Sequence, residues 1–392
     1  MSLPRKQTRQ IRGFDLRYPA GEIETISAGL RQVLQDGFIS MGRNVAEFER
    51  LWAEFCGVKH AIGTSNGTCS LEIILRALEV KGHTVVVPSH TFIATAVAAI
   101  HAGARVIFVD CQRDNLQIDP ADLRRKIRPD TRAVVLVHMS GIISPHLDEI
   151  IAICEERHVA LIEDAAHAHG ASIHGRKAGS LGLAGSFSFF STKVLTTGEG
   201  GMIVTDDATI HKKSLALRDH GRFTAEPNLH DDFGYNWRPS ELHAVLGMAQ
   251  VRRANTILQR RRAIARRYDQ ALAARQIPGI KLLQIPDHVQ SAYYKYVIYL
   301  EPPLERTCLK RTLKEEHGVT LGSELYDRPC HSQPVFQRYP ETVIPSSPDS
   351  FPETDYVVAH HICLPLYFDL TDEEVDQVVN ALDTAVRSIL DK

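Results

Sequence analysis

Paired cysteines, long apolar runs and an excess of one charge are all missing from this chain. Its seven cysteines (Cys56, Cys69, Cys111, Cys154, Cys308, Cys330 and Cys363) are scattered, odd in number and without a CxxC pair. No disulfide framework is expected from them, and a reducing compartment suits them. Basic residues near the N-terminus are not followed by the apolar stretch of a secretory leader, so a cytoplasmic protein is expected. No apolar run approaches the length that spans a bilayer. A net charge of −2 leaves no electrostatic footprint for nucleic acid or an anionic membrane. The clusters Arg252-Arg253 and Arg260-Arg261-Arg262 alternate with apolar residues in a helix-like stretch and read as solvated faces. His83, His101 and His158 show no metal-ligating spacing, so no metal site is expected. Repeats and low-complexity blocks are also missing.

What remains is 392 residues, 44% apolar and 23% charged, enough for two domains with a sizeable core. Strand and helix patterns alternate in an α/β manner. Strands are expected at Thr84–Pro88, Arg105–Asp110, Ala133–His138, Val159–Glu163, Ser186–Phe190 and Met202–Thr205. Helices are expected at Leu71–Leu78, Thr95–Ala102, Ala121–Ile127 and Leu147–Glu156. A long helical pattern then runs from Glu241 to Arg275. The tail reads as α+β, with a strand at Ala292–Leu300, a helix at Leu304–His317, an irregular proline-rich middle and a last helix from Asp372 to Leu390. Thr371 suits the N-cap of that helix, with Glu373 and Glu374 in its first turn.

The densest chemistry lies at the run Ser186-Phe187-Ser188-Phe189-Phe190-Ser191-Thr192-Lys193, followed by the glycine-rich Gly198-Glu199-Gly200-Gly201. A lysine among apolar neighbours loses its proton more easily, because desolvation disfavours the charged form. A neutral amine attacks aldehydes, so Lys193 is a candidate for Schiff-base chemistry. Upstream, Val159-Ala160-Leu161-Ile162-Glu163 delivers Asp164 to a second strand end. Sites in open α/β sheets form at the C-terminal ends of strands, so the two residues can share a cleft. Pyridoxal phosphate needs such a pair, a lysine for its aldehyde and an acid for its ring nitrogen. Taken singly, a surface lysine and a turn-capping aspartate are the ordinary readings. The turn Ser65-Asn66-Gly67-Thr68 opens a helical pattern, which suits a phosphate but also suits ordinary capping. Ser188 offers a further side-chain donor.

Those features, together with Pro88-Ser89-His90-Thr91-Phe92-Ile93-Ala94-Thr95, Glu163-Asp164-Ala165-Ala166-His167-Ala168-His169-Gly170-Ala171, Gly234-Tyr235-Asn236-Trp237-Arg238 and Leu364-Pro365-Leu366-Tyr367, extend over nearly the whole chain. In order and spacing the chain resembles the DegT/DnrJ/EryC1/StrS family of sugar aminotransferases. The resemblance implies the type I pyridoxal phosphate fold. That is an α/β large domain, with a mostly parallel mixed sheet flanked by helices, and a smaller α+β C-terminal domain. The expected division is an N-terminal arm over 1–25, a large cofactor domain over 26–255 and a small domain over 256–392.

By the same resemblance Lys193 bonds the cofactor aldehyde and later shuttles a proton, and Asp164 holds the ring nitrogen. His167 lies near the phenolic oxygen, Phe92 stacks on the ring, and Gly67, Thr68 and Ser188 hold the phosphate. Asn236 reaches the phosphate of a neighbouring subunit, which makes the protein a homodimer with shared sites. His331 and Tyr326 fall in a region that approaches substrate in relatives. The implied reaction moves an amino group from L-glutamate to a keto sugar, most often a nucleotide-linked 3- or 4-keto-6-deoxyhexose, with ping-pong kinetics.

Three other readings stand beside it. A keto-cyclitol acceptor is compatible with these residues. A sugar dehydratase of the same fold carries histidine at the lysine position, and a non-catalytic regulatory relative would be marked by loss of Lys193 or Asp164. Departures from the family pattern fall at His138-Met139-Ser140-Gly141-Ile142-Ile143-Ser144-Pro145 and at Pro239-Ser240-Glu241-Leu242-His243. Both spare the cofactor residues and bear on the acceptor pocket.

Overall fold

The structure, a computed structural model, describes residues 10–224, 226–345 and 350–391. Residues 1–9 of the expected N-terminal arm lie outside the described residues. Helices α1 (Ala20–Asp36) and α2 (Arg43–Cys56) precede β1 (His60–Thr64), which runs into α3 (Gly67–Ala77). Then β2 (Thr84–Pro88) feeds α4 (Ile93–His101), β3 (Arg105–Val109) precedes α5 (Pro120–Lys126), and β4 (Thr131–Val137) precedes α6 (Leu147–Glu156). After β5 (Ala160–Asp164) come the short β6 (Ser172–Ile173) and β7 (Arg176–Lys177), then β8 (Ala184–Ser188), β9 (Gly201–Thr205) and α7 (Ala208–Arg218). The long α8 (Glu241–Arg275) leads to β10 (Ile280–Leu282), β11 (Val289–Gln290), β12 (Tyr296–Leu300) and α9 (Arg306–His317). The chain ends in α10 (Pro334–Arg338), α11 (Pro352–His360), β13 (His361–Leu364) and α12 (Asp372–Leu390).

Seven strands form one sheet in the order β1-β9-β8-β5-β4-β2-β3. Only β9 runs against its two neighbours; the other pairs are parallel. The parallel strands read as nearly unbroken apolar runs because helices cover both faces; Val85, Val86 and Val87 of β2 are all fully buried. A smaller sheet, β10-β12-β13, is antiparallel and packs with α9 and α12. This is the expected large α/β unit with a smaller α+β unit behind it. Along α8 the packing partner changes: Ala254, Ile257 and Leu258 belong to the core of the large sheet, and Ile264, Ala265, Tyr268 and Leu272 to that of the small one. Ile11 is buried in the small core and hydrogen-bonds to Gly318 and Thr320. Among the described residues, no helix is long and apolar enough to cross a membrane.

Several boundaries differ from expectation for identifiable reasons. The strand expected at Ser186–Phe190 is Ala184–Ser188. The small Ala184 and Gly185 pair fully with β9, while Phe190 has left the ladder and Lys193 sits in the following turn, its N–H on the Phe190 carbonyl at 2.9 Å. The strand expected from Ala292 begins only at Tyr296, because Tyr293 is held at a φ of 49°. β1, α1, α2 and α7 were not expected. The last helix carries a full capping box, Thr371 with Glu374.

One long-range cap ties the layers together. The Glu241 side chain, at the start of α8, accepts from the N–H groups of Gly42 (2.9 Å), Asn44 (2.9 Å) and Val45 (2.8 Å) and from Asn44 Nδ2 (2.7 Å). A buried carboxylate on the first turn of α2 satisfies donors that have no helical partner and suits the positive helix end. Glu241→Ala is expected to cost about 2–3 kcal/mol, since it leaves the buried Val45 N–H and the half-buried donors of Gly42 and Asn44 without their acceptor. The check is the urea midpoint at unchanged slope.

Candidate active site

One wall of the main cavity is built by loops that leave the same edge of the large sheet, while Tyr294, Leu325 and Tyr326 reach it from the C-terminal part of the chain. β1, β2, β4, β5 and β8 all end at that edge, and the reversed β9 begins there. Because β5 and β8 are direct parallel neighbours, with Asp164 opposite Ser186, the acid and the lysine segment emerge side by side. The cavity between them has a volume of about 1090 Å³. Gly67, Thr68, Phe92, Asp164, His167, Ser188, Lys193 and Tyr326 all line it.

The lysine segment is aimed by aromatic packing. Phe187 and Phe189 are fully buried against Trp52, with ring centroids at 5.0 and 4.9 Å, and against His169 at 5.6 and 5.2 Å. The glycine-rich loop folds back on Phe189, whose N–H reaches the Gly200 carbonyl at 2.8 Å and whose carbonyl accepts from Thr197 N–H at 3.0 Å. With both flanks of the turn fixed, Lys193 has little choice but to enter the cavity. Its ammonium lies 5.0 Å from the centre of the Tyr294 ring.

Burial moves the two ionisable groups in opposite directions. It pulls the Lys193 amine down to about 8, against an opposing pull from Asp164, and Lys295 adds to the depression. It pushes the Asp164 carboxyl above the ordinary aspartate value. Hydrogen bonds from Thr95 Oγ1 to Oδ2 (2.8 Å) and from the Ala166 N–H to Oδ1 (3.2 Å) oppose that rise and fix the carboxylate plane. Behind Asp164, Glu163 is buried and accepts from His138 Nε2 (2.8 Å) and from the N–H groups of Gly179 (2.6 Å), Leu181 (2.6 Å) and Gly182 (2.8 Å). This locks the end of β5.

At the far end of the cavity, α3 presents its N-terminus. The Asn66 side chain caps it by accepting from Cys69 N–H at 3.0 Å, while the N–H groups of Gly67 and Thr68 precede any helical acceptor. A side chain at Gly67 would place its Cβ 2.8 Å from Ser188 Cβ, so glycine alone allows α3 to approach β8 this closely. Gly201 is equally constrained, its Cβ position falling 2.3 Å from the Asn66 backbone. The result is a concave set of amide donors beside the Ser188 hydroxyl, the chemistry a phosphate monoester needs. A pyridoxal phosphate fits these residues: phosphate donors at one end, and a depressed amine and a fixed carboxylate at the other.

The walls between are aromatic. Phe92 caps the start of α4 and is 55% exposed, with its ring 5.9 Å from that of Tyr326. His167 is buried, stacks on Tyr294 at 4.1 Å and 18°, and has its Nε2 3.5 Å from the Tyr326 hydroxyl. Burial holds it well below the ordinary histidine value, so it is neutral at pH 7.

Two expected site residues do not line this cavity. His331 stacks on Phe351 at 4.1 Å and places Nδ1 2.5 Å from Ser89 Oγ. Asn236 is exposed, on a strand-like bridge with Asp219. Conversely, sequence reasoning missed Thr95, Thr192 and Tyr294. Thr95 had one usable signal, a hydroxyl in the first turn of the helix that follows Phe92. Tyr294 had none, because a turn far away in the sequence aims it.

A model of the DegT/DnrJ/EryC1/StrS aminotransferase family matches residues 21–383. The spore coat polysaccharide biosynthesis protein SpsC of Bacillus subtilis is 33% identical over 373 residues, covering 91% of this chain and 93% of the relative. GDP-perosamine synthase of Caulobacter vibrioides is 33% identical over 350 residues, covering 88% and 90%. The crystal structure of S. venezuelae DesV in complex with a ketimine intermediate matches with a TM-score of 0.87 at 28% identity, over 96% of this chain and 98% of that one. With the family model over most of its length and relatives at 33% identity, the chain belongs to the DegT/DnrJ/EryC1/StrS family as a pyridoxal phosphate-dependent aminotransferase.

Proposed function

We propose that this enzyme transfers an amino group from L-glutamate to a nucleotide-linked keto sugar, a 3- or 4-keto-6-deoxyhexose, by ping-pong transamination. The observation that carries the chemistry is the placement of Lys193 and Asp164 on adjacent strand ends of one cavity, with the α3 N-terminus at its other end. Support for the sugar comes from the relatives, one named for spore coat polysaccharide biosynthesis and one a GDP-perosamine synthase. A volume of about 1090 Å³ also leaves room for an acceptor beside a cofactor, since single small ligands take roughly 300–1,000 Å³.

Bound pyridoxal phosphate supplies the electron sink for charge that develops at the substrate carbon. The protein residues do the rest. Lys193, neutral in part near pH 8, would hold the cofactor aldehyde and, as a free amine, would carry the proton from the donor Cα. Asp164, as the carboxylate, would hold the proton on the ring nitrogen, and the hydrogen bonds that oppose its raised proton affinity favour that ionised form. Thr95 and the Ala166 N–H hold the carboxylate in one orientation. Gly67, Thr68 and Ser188 bind the phosphate, while Phe92 and His167 orient the ring and exclude water.

A homodimer with shared sites is part of the proposal. Asn236 is exposed and does not itself line the cavity, which suits a reach toward a second copy. Exposed apolar rings near the mouth, Phe92 at 55% and Phe190 at 43%, suit burial against that copy. A cytoplasmic setting fits cysteines that are all unpaired thiols.

Incubation of cofactor-loaded protein with L-glutamate is expected to bleach the visible absorbance, and one member of a panel of nucleotide-linked keto sugars to restore it. A loaded protein inert to every amino donor would overturn the proposal. Lys193→Ala should lose on the order of 10²–10⁴-fold or more in turnover; retained activity would remove its assigned role.

A pH experiment on cofactor-free protein tests the same residue without catalysis. Between about 8 and the ordinary lysine value of 10.5, the unfolded chain keeps a proton that the folded chain has lost. Stability from this group therefore rises with pH across that window. Wild type should gain roughly 1–3 kcal/mol relative to Lys193→Met as pH climbs through it, measured by urea unfolding at each pH.

A further inference from the structure

The segment that precedes β12 is pinned from two sides. From α8, Arg261 donates to the Tyr293 carbonyl at 3.0 and 2.7 Å and to the Tyr294 carbonyl at 3.1 Å, and Arg262 donates to the Ser291 carbonyl at 2.9 Å. From the opposite side comes the turn after β4, where Ser140 and Gly141 both have positive φ (59° and 84°). The Ser140 carbonyl accepts from the Tyr294 N–H at 3.0 Å, and Ser140 Oγ donates to the Lys295 carbonyl at 3.1 Å. The Gly141 carbonyl accepts from the Ala292 N–H at 2.9 Å and from Ser291 Oγ at 3.0 Å. A surface crossover needs none of this. The bonds aim one side chain, Tyr294, into the cavity.

Its ring stacks on His167 at 4.1 Å, its hydroxyl lies 3.3 Å from Thr192 Oγ1, and the Lys193 ammonium sits 5.0 Å from its centre. We propose that the face of Tyr294 is the seat of the Lys193 amine whenever that amine is not bonded to the cofactor, which makes Tyr294 a positioning residue for the proton-carrying lysine. The inference rests on Lys193 being the cofactor lysine. A displaced lysine on a four-carbon stem must stay within reach of the substrate carbon, or the benefit of proximity is lost. An aromatic face holds an ammonium without neutralising it, as a second carboxylate would, and leaves it free to leave again.

The charged and titratable groups around the amine are few. Asp164 favours its protonated form, Lys295, itself 5.3 Å from the same ring, disfavours it, and His167 and His169 are neutral through burial.

The test is competitive acetylation of cofactor-free protein across a pH series, read at Lys193 by mass spectrometry. Tyr294→Phe keeps the face and loses the hydroxyl; Tyr294→Leu keeps the burial and loses the face. Wild type and the Phe variant are expected to share one midpoint. In the Leu variant the charged amine loses its partner, so the midpoint should fall by about half a unit and Lys193 should react about threefold faster at pH 7. An unchanged midpoint in the Leu variant, or an equal shift in the Phe variant, would overturn the seat. Tyr294→Met makes the same comparison if the Leu protein does not fold. The two readings fail separately: a wild type whose absorbance no amino donor bleaches would remove the aminotransfer and leave these midpoints in place.

Discussion

Burial at the junction of β5 and β8 acts on a carboxylate and an amine at once, and the rest of the site depends on it. The same exclusion of water that raises the proton affinity of Asp164 lowers that of Lys193. In water the two would simply be an ionised pair with nothing to do at neutral pH. Here burial moves each toward its neutral form, the acid toward keeping a proton and the amine toward giving one up. The Coulomb attraction between them works against both shifts, so the desolvation has to be the larger effect. Phe187 and Phe189, fully buried beneath the lysine turn, add apolar surroundings on that side.

Such an arrangement holds only if nothing relaxes. Glu163 fixes the end of β5 through one histidine and three backbone amides, and the glycine-rich loop is stitched to Phe189 on the lysine side. The capped α2 supplies Trp52, and its own first turn is held by Glu241. A chain of buried contacts thus runs from the start of α8, through α2, to the strand that carries the lysine. Loss of any link is felt as looseness at the amine rather than as a missing contact with substrate.

Much of this was legible in the sequence where residue type and element end coincide. Asp164 and Lys193 could be paired because each follows an apolar run, and Gly67 and Thr68 because a hydroxyl-rich turn precedes a helical period. The parallel α/β core was legible because strands buried on both faces read as apolar blocks. What stayed hidden depends on contacts between distant positions. The cap of Glu241 on Gly42 spans 199 positions, and no local pattern announces it. The strand before the lysine was placed two residues late because Ala184 and Gly185 have weak strand character and earn their place through pairing with β9. Tyr294 was hidden for the same reason: its neighbours Tyr293 and Tyr296 look alike in sequence, and only bonds from the distant Ser140 turn and from Arg261 and Arg262 set which ring faces the lysine.

That turn links the two halves of the cavity. The wall that faces the cofactor comes from the edge of the large sheet, whereas Tyr294, Leu325 and Tyr326 reach it from the C-terminal part of the chain. Ser140 and Gly141 lie on the large-sheet side of that divide and hold Tyr294 by backbone bonds. The turn itself is His138-Met139-Ser140-Gly141. A change in this turn would be transmitted to Tyr294 through these backbone bonds and, on the proposal above, to the place where the lysine amine rests.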